Sequence, residues 1–216
     1  MKLLFFVIAL TMTMESFAQI RFGVKGGLNL ANMVINDPDE YQFYDLAPKT
    51  IIGFHMGATA EFSFSEKFAV EPGLLLSTKG YKFEEDGDVL SFNMNYLEIP
   101  INAIYKIDIG GAKILIKAGP YLGYAISGKW KASEAVLGYY GDEKEQKIKI
   151  GSDDSGDDIK PHDFGLNIGG GVEIKDITIV LQYGIGLANL SPYTVHNTKL
   201  KNNVIGISVG YKFGKK

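Results

Sequence analysis

The feature that most constrains the fold is an alternation of large apolar and polar residues that repeats along almost the whole chain. In the stretch FGLNIGGGVEI (residues 164–174), Phe164, Leu166 and Ile168 alternate with glycines and an amide. Because successive side chains of a β-strand point to opposite faces, this period of two predicts a strand with one apolar and one polar face. The glycines on the polar face indicate a crowded surface, since glycine weakens a strand unless its missing volume is needed.

The same alternation recurs in eight segments, which predicts an all-β fold: an eight-stranded antiparallel up-and-down transmembrane β-barrel. The segments cover residues 19–30, 50–64, 68–82, 95–107, 113–130, 164–174, 177–187 and 205–213. Very short connections (65–67, 108–111 and 175–176) alternate with longer polar ones (31–49, 83–91, 131–163 and 189–202). Short periplasmic turns and long extracellular loops are typical of a barrel in the bacterial outer membrane.

The N-terminus predicts export from the cytoplasm. Lys2 precedes an apolar run from Leu3 to Met14, and a small-x-small pattern follows at residues 16–18. This order predicts a secretory signal peptide over residues 1–18 and one barrel domain over residues 19–216. A membrane anchor is the alternative, but the run is shorter than the roughly 20 residues that a spanning helix needs.

Alternation alone does not say which face meets lipid, because a soluble carrier barrel would carry the pattern inverted. An eight-stranded barrel leaves room inside only for side chains, and the polar phase is the one rich in glycine. That phase also carries four basic and four acidic residues, which could neutralise each other in a narrow lumen. We therefore predict lipid-facing apolar residues and a lumenal charge network of Arg21, Lys25, Glu61, Glu71, Glu98, Lys117, Glu173 and Lys212.

Two further features bear on the barrel. Aromatic residues cluster near the predicted strand ends, as the girdles at membrane interfaces do. The inner girdle is predicted from Phe62, Phe64, Phe68, Tyr105, Tyr211 and Phe213, and the outer one from Tyr124, Trp130 and Phe164. Pro72, Pro100 and Pro120 lie inside predicted strands, where a missing N–H predicts bulges or locally unpaired positions.

Composition excludes several classes of function. The chain has 216 residues, a formal net charge of −3 and no cysteine. The charge balance shows no basic stripe of the kind that binds nucleic acid. The absence of cysteine excludes disulfides, thiolate catalysis and cysteine-based zinc sites. We expect no cofactor.

Seven motifs together resemble a known family. They are GVKGGLNLANM, EPGLLLSTKG, NYLEIPINAIYK, KAGPYLGYAISGK, FGLNIGGGVEI, LQYGIGLANL and ISVGYKF, and they span residues 19–213. In this order they resemble the PorT-like outer-membrane β-barrel proteins, also called the porin family. The resemblance implies an eight-stranded barrel like those of OmpA and OmpX, in which Phe213, followed here by Gly-Lys-Lys, resembles the terminal-strand signal that barrel-assembly machinery reads. Some relatives are tied to secretion and gliding machinery.

The connection over residues 131–163 is the strongest candidate for function outside the barrel. Asp153, Asp154, Asp157 and Asp158 are weak candidates for a calcium site or a divalent bridge to lipopolysaccharide phosphates, because hard cations favour carboxylate oxygens. Asp163 and His162 follow them. The alternative is a solvated acidic loop. The alternation over residues 147–150 also predicts that the flanking strands continue as a protruding hairpin.

Other candidate residues point less directly to chemistry. Tyr41, Phe43 and Tyr44 in the first long loop could anchor a partner or fold onto the barrel rim. His55 falls on the lumenal phase, where we expect it to be a packing residue. His162 and His196 accompany no nucleophile motif, so we expect no enzyme.

These observations predict a bacterial outer-membrane barrel with a plugged polar lumen and a structural or surface-interaction role. A narrow channel for ions or small solutes is the alternative, and a component of secretion or gliding machinery is the second. The expected partners are membrane lipid and lipopolysaccharide, barrel-assembly machinery during biogenesis, and an unknown surface partner through residues 131–163. Nucleic acid is not expected.

Overall fold

The computed structural model describes residues 19–36, 47–134, 144–153, 156–192 and 198–214, and these residues form nine strands. The strands are β1 (Gln19–Asn36), β2 (Ile51–Ser63), β3 (Phe68–Glu85), β4 (Asp88–Asp108), β5 (Ala112–Ala132), β6 (Glu145–Lys147), β7 (His162–Ile174), β8 (Ile177–Gly186) and β9 (Lys199–Phe213). Nowhere in these ranges is a helix long and apolar enough to cross a membrane. The predicted signal peptide, the aromatic residues at 41–44 and His196 lie outside the described residues.

Eight of the strands form one closed antiparallel ring. Each pairs with its neighbour along the chain, and β9 pairs with β1 from Phe22↔Phe213 to Asn36↔Lys199. The short strand β6 is an addition, since it pairs with β5 on one side while the ring continues from β5 to β7. The predicted fold, an eight-stranded antiparallel up-and-down barrel, is therefore confirmed.

The two faces of the ring differ as the alternation predicts. Phe22 and Leu122 are each 64% exposed on the outer face, whereas Arg21 is 5% and Glu61 0% exposed inside. A soluble carrier would have the reverse arrangement, with apolar side chains around an internal cavity. The structure excludes that alternative.

The lengths of the connections distinguish the two ends of the barrel. The links after β2, β4 and β7 contain residues 64–67, 109–111 and 175–176, and they define what we name the turn end. The opposite end, with the longer connections, is named the loop end. One predicted long loop is wrong, because residues 83–91 mostly continue β3 and β4. Asp86 and Gly87 close this hairpin with positive φ angles of 49° and 94°, the geometry that an Asp-Gly pair favours in a two-residue turn.

The prolines interrupt pairing without changing register, which confirms the prediction of locally unpaired positions. Between β3 and β4 the ladder stops after Pro72↔Ile101 and resumes at Leu75↔Glu98 in the same register. The ladder between β4 and β5 likewise stops after Pro100↔Tyr121. A proline has no N–H to donate, so the ladder hydrogen bond at its position cannot form and the pairing is interrupted there.

One register shift occurs in the β4–β5 ladder, between Asn95 and Tyr96. A bulge of this kind places an extra residue in one strand and reverses which of its side chains face inward. Gly128 beyond the shift is buried, whereas Ile126 before it is 53% exposed. Trp130 therefore packs against buried residues at the loop end, and its predicted place in the lipid-facing outer girdle is wrong.

Three of the four glycines of β7, Gly165, Gly169 and Gly171, lie where a larger side chain would not fit. A Cβ atom at Gly165 would lie 2.1 Å from the carbonyl oxygen of Ile185 and 2.8 Å from the hydroxyl of Tyr121. The predicted crowding of the polar face is therefore confirmed at this position, where the Tyr121 side chain and the backbone of β8 take up the space.

Candidate functional site in the barrel lumen

The largest group of lumenal charges lies near the turn end. Glu61, which is fully buried, accepts hydrogen bonds from Arg21 at 2.7 Å, from Lys106 at 2.6 Å and from Lys212 at 2.5 Å. Glu173 accepts from Arg21 at 2.9 Å and from Lys212 at 2.8 Å. We name these five residues the turn-end cluster. Charged hydrogen bonds satisfy buried ions that would otherwise be costly, so the cluster fills this level of the lumen with fixed side chains.

A second group lies at the middle of the lumen. Lys117 donates to Glu71 at 2.6 Å, and both side chains are almost wholly buried. Lys25 faces the same space but forms no ion pair or hydrogen bond with any residue that the structure describes. It lines two small cavities, above and below its own level.

A third group lies toward the loop end, centred on Lys79. Its Nζ atom lies 2.7 Å from Glu98 and 3.1 Å from Asp163, and 4.2 Å from the centre of the Tyr121 ring. Asp163 also accepts a hydrogen bond from Asn202 at 3.0 Å. The eight residues predicted as one charge network thus form contacts in separate groups, with Lys25 outside all of them.

Sequence reasoning left three of these charged residues out of the predicted network. Lys79 and Lys106 occupy the polar phase of β3 and β4, the same phase as Glu71 and Glu98. Asp163 was assigned to the acidic loop, yet it is 2% exposed inside the barrel. Extending the phase of Gly165 back by one alternation would have placed Asp163 in the lumen.

A chain of polar side chains runs beside the middle group. His55 places its Nδ1 atom 2.8 Å from the Oδ1 atom of Asn29 and its Nε2 atom 2.9 Å from the Oγ atom of Ser208. Asn29 donates in turn to Ser77 at 3.1 Å and to the carbonyl oxygen of Thr78 at 3.1 Å. The chain ties β1, β2, β3 and β9 together across the interior.

At the loop end apolar side chains pack together inside the barrel. We name this group the mouth cluster; it comprises Met33, Met94, Tyr96, Ala125, Ile148, Ile159, Ala188 and Leu190. Six of these residues belong to the barrel wall or the chain that leaves it, and Ile148 and Ile159 come from the connection between β5 and β7. Phe92, Trp130 and Ile150 pack against the cluster from its rim.

Backbone bonds hold the β5–β7 connection over the mouth. Ile148 donates to the carbonyl oxygen of Gly128 at 3.0 Å, and Lys160 donates to that of Leu190 at 2.8 Å. Ile150 and Ile159 form a parallel bridge. The predicted protruding hairpin is therefore only partly right. The strand β6 pairs with the end of β5, but the chain after Lys147 turns inward.

Two small cavities lie inside the barrel between the turn-end cluster and the mouth cluster. One cavity beside Lys25, Glu71 and Lys117 measures about 20 Å³, and another beside Lys25, His55 and Ser208 measures about 30 Å³. Volumes of this size hold about one or two water molecules each. A wider vestibule of about 490 Å³ opens at the turn end, where Arg21 and Lys106 line its floor.

Two of the described aspartates of the β5–β7 connection bind backbone amides. Asp157 accepts a hydrogen bond from the amide of Asp153 at 2.8 Å, and Asp158 accepts one from the amide of Lys149 at 2.8 Å. These carboxylates cap backbone turns. Within the described ranges, no three His, Asp or Glu side chains are grouped to bind a metal. Asp154 lies outside those ranges.

A second charged surface lies on the outside of the barrel at the loop end. There Glu145 of β6 pairs with Lys129 and, at 3.0 Å, with Lys131, both on β5. A hydrogen bond from Lys129, and to a smaller extent one from Lys131, lowers the pKa of the Glu145 carboxyl from its ordinary value. All three side chains are well exposed.

Comparison with known proteins is consistent with this architecture. Residues 17–191 match the family described as outer membrane protein beta-barrel domain. OprG from Pseudomonas aeruginosa shares 13% identity with the chain, with 94% of this chain and 100% of that chain covered and a TM-score of 0.50. No curated protein matches the chain significantly.

Two other solved outer-membrane proteins are similar over most of their length. Ail of Yersinia pestis shares 14% identity, with 90% of this chain and 99% of that chain covered and a TM-score of 0.42. Outer membrane protein W of E. coli shares 14% identity, with 89% and 97% covered and a TM-score of 0.38. Likeness at these identities concerns the fold and carries no activity across.

An apolar outer face, a closed ring and a match over most of the chain lead to one assignment. In such barrels the short turns face the periplasm and the long connections face the cell exterior. The chain belongs to the outer membrane protein beta-barrel domain family, and its place is the bacterial outer membrane.

Proposed function

We propose that this protein is a non-conducting barrel with a structural or surface-interaction role, exercised through its extracellular connections. The observation that carries the proposal is the obstruction of the lumen at two separate levels. The turn-end cluster fills the periplasmic side with hydrogen-bonded ions, and the mouth cluster closes the outer side with apolar side chains. The two cavities that lie between these levels hold about one or two waters each, which supports a lumen too narrow for a hydrated ion.

Planar-bilayer recording of the purified, refolded protein tests this proposal. We expect no steady unitary currents. The variant Ile148→Asn disturbs the mouth cluster and should also be silent, because the turn-end cluster remains in place. Steady unitary currents from the unaltered protein would contradict a closed lumen.

A narrow channel for ions or small solutes is the second candidate. The observation that favours it is Lys25, a cation without a direct partner among the described residues, which lines both internal cavities. Under this alternative Lys25 would set ion selectivity. Currents whose anion preference is lost in Lys25→Gln would support the channel, whereas currents that are unchanged in that variant would not.

The surface-interaction role can be tested without disturbing the barrel. The amide of Ala132 donates to the carbonyl oxygen of Lys144 at 3.1 Å, so the two ends of residues 133–143 already lie together. Replacing residues 135–143 by a two-residue Asn-Gly turn leaves β5, β6 and Ile148 intact. Surface crosslinking on intact cells should then lose the partners seen with the unaltered chain; an identical set would contradict a role for this loop.

A link to secretion or gliding machinery is a further alternative, suggested by the resemblance to PorT-like proteins. It predicts that deleting the gene impairs secretion or gliding, and that the loop variant described above shows the same defect. A normal phenotype in the deletion strain would remove this alternative. A secretion or gliding defect in the deletion strain, together with normal behaviour of the loop variant, would indicate that another surface makes the contact.

The proposal assigns no catalysis to the chain. Ser208, His55 and Asn29 do stand in the order of a nucleophile, a base and an orienting amide. All three are buried, and the cavity they face measures about 30 Å³. Since that space holds about one or two waters and no ester or peptide substrate, we expect a fluorophosphonate probe not to label Ser208 in the folded protein.

A further inference from the structure

Basic residues are concentrated on the outer face of the barrel at the loop end. Beyond the last exposed apolar positions, the outward-pointing strand positions carry six lysines and two glutamates. These are Lys82, Lys129, Lys131, Lys147, Lys199 and Lys201, with Glu84 and Glu145. The surplus of positive charge therefore lies outside the lumen, next to the lipid-facing surface.

The densest part of this surface is formed by Lys129, Lys131 and Lys147, which we name the lysine face. Lys129 and Lys131 are 55% and 57% exposed, and the register places Lys147 directly opposite Lys129. Glu145 pairs with both lysines of β5. Within the described chain Lys147 has no ion pair, so three cations share one carboxylate.

The pairing of Lys129 with Lys147 is unfavourable in isolation. Like charges directly opposite each other on neighbouring strands destabilise the pair. Glu145 offsets part of this repulsion, but among the residues of this face that the structure describes it leaves a surplus of two positive charges across only two strands. An anion bound between the lysines would offset the rest.

The lysine face lies just above the apolar outer surface of the barrel. A polar ladder of Thr78, Asn95 and Ser127 crosses three strands just beneath it, with hydrogen bonds of 2.8 Å and 3.0 Å. Ile126, 53% exposed, lies immediately below the ladder. Lys129 follows Ile126 by three positions, about 10 Å along a strand. This is the depth at which lipid headgroups lie beyond the hydrocarbon core.

We propose that the lysine face binds the phosphate group of an anionic glycolipid of the outer leaflet. The acyl chains of the lipid would lie against the exposed apolar surface of Leu97, Tyr124 and Ile126, directly below. Both parts of one lipid molecule are thus matched, the charged head by the lysines and the tails by the barrel wall. The proposal rests on the membrane assignment and is independent of whether the lumen conducts.

Native mass spectrometry of the full barrel in detergent tests the proposal. The probes are lipid A with two phosphates and the same lipid A after removal of both. The variant Lys129→Gln/Lys147→Gln leaves Lys131 paired with Glu145, so it cancels the surplus charge. Lys67→Gln/Lys175→Gln removes the same number of exposed lysines at the turn end and is the matched control.

We expect the unaltered protein and the control to retain phosphorylated lipid A equally. The double variant of the lysine face should bind it about thirty-fold more weakly, at roughly a factor of five for each lysine near an anionic surface. Dephosphorylated lipid A should bind all three proteins alike. Equal affinity of the unaltered protein for both lipids would overturn the proposal, as would an equal loss in the control.

The fold of each variant is checked by its heat-dependent mobility in detergent gels. Should the double variant misfold, Lys147→Gln alone replaces it, because Lys147 makes no ion pair within the described residues that folding would lose. A single variant that folds and still binds phosphorylated lipid A with unchanged affinity would equally overturn the proposal.

Discussion

The Nζ atom of Lys212 lies 2.5 Å from the Oε2 atom of Glu61, although the two residues stand on β9 and β2, which are separated by β1. The ion pair therefore crosses the inside of one strand and links two that are not neighbours. Because Glu61 is fully buried and serves three cations, it is the residue on which the turn-end cluster depends most.

Glu61→Gln should strongly destabilise the barrel. The change leaves Arg21, Lys106 and Lys212 with Glu173 as their remaining carboxylate in the cluster, and breaking a buried ionic group typically costs about 3–5 kcal/mol. Urea unfolding in lipid vesicles, followed by tryptophan fluorescence, measures the loss. Glu84→Gln makes the same change at an exposed pair with Lys82 and should leave the midpoint unaltered. Equal midpoints for both variants would show that the cluster does not stabilise the fold.

The mouth cluster should control access to the lumen from outside. The chain has no cysteine, so Ser208→Cys introduces a single reporter that lines both internal cavities. A small methanethiosulfonate reagent should modify it slowly in intact cells, and at least about ten-fold faster when Ile148→Asn is added, since a polar group disrupts apolar packing. Lys149→Asn, the exposed neighbouring position, is the control and should not change the rate. Rapid modification of Ser208→Cys without the Ile148→Asn change would show that the mouth is open.

Gly165→Ala should destabilise the β7–β8 pairing. The added methyl would meet the carbonyl oxygen of Ile185 and the ring of Tyr121, whose hydroxyl already contacts Asp163. Overpacking of this kind costs about 1–3 kcal/mol. Gly170→Ala in the same strand is the control, because its Cβ would find only one neighbour, at 3.5 Å. Similar unfolding midpoints for the two variants would contradict the close approach of β7 and β8.

Trp130 offers an optical test of the inward turn of the outer part of β5. It is the only tryptophan of the chain, and it packs against the mouth cluster. Brominated acyl chains should therefore quench its fluorescence weakly. The variant Trp130→Phe/Tyr124→Trp moves the fluorophore to a position whose native side chain is 50% exposed on the outer face, where strong quenching is expected. Strong quenching of the native Trp130 would restore it to the lipid-facing girdle.

The periodicity of the sequence was sufficient to predict the barrel, because a strand in a membrane wall repeats every two residues whatever its neighbours are. It failed where a single residue changes the phase. The shift at Asn95 and Tyr96 reverses the later part of β5, so Trp130 turns inward and Ser127 lies on the outer face. The alternation of apolar and polar residues in this part of the sequence does not predict such a bulge.

The remaining misses come from contacts between distant parts of the chain. Ile148 sits among charged residues in a stretch that reads as a hairpin, and only its packing on Met94 and Gly128 explains its burial. Asp163 reads as one more loop carboxylate, until Lys79, 84 positions away, is found beside it. The polar phase could supply the residues of the lumen, but not which of them pair.

The seam between β1 and β9 has a consequence for the order in which the protein is made. The last strand of the ring, β9, carries Lys212, the group that reaches both Glu61 and Glu173. A chain that ends before β9 would have two unpaired sheet edges and an incompletely neutralised interior. Both are unfavourable in contact with the hydrocarbon of the membrane. Completion of the final strand thus joins the ring and balances its charges in one step, and a truncated chain fails on both counts before it can enter the bilayer.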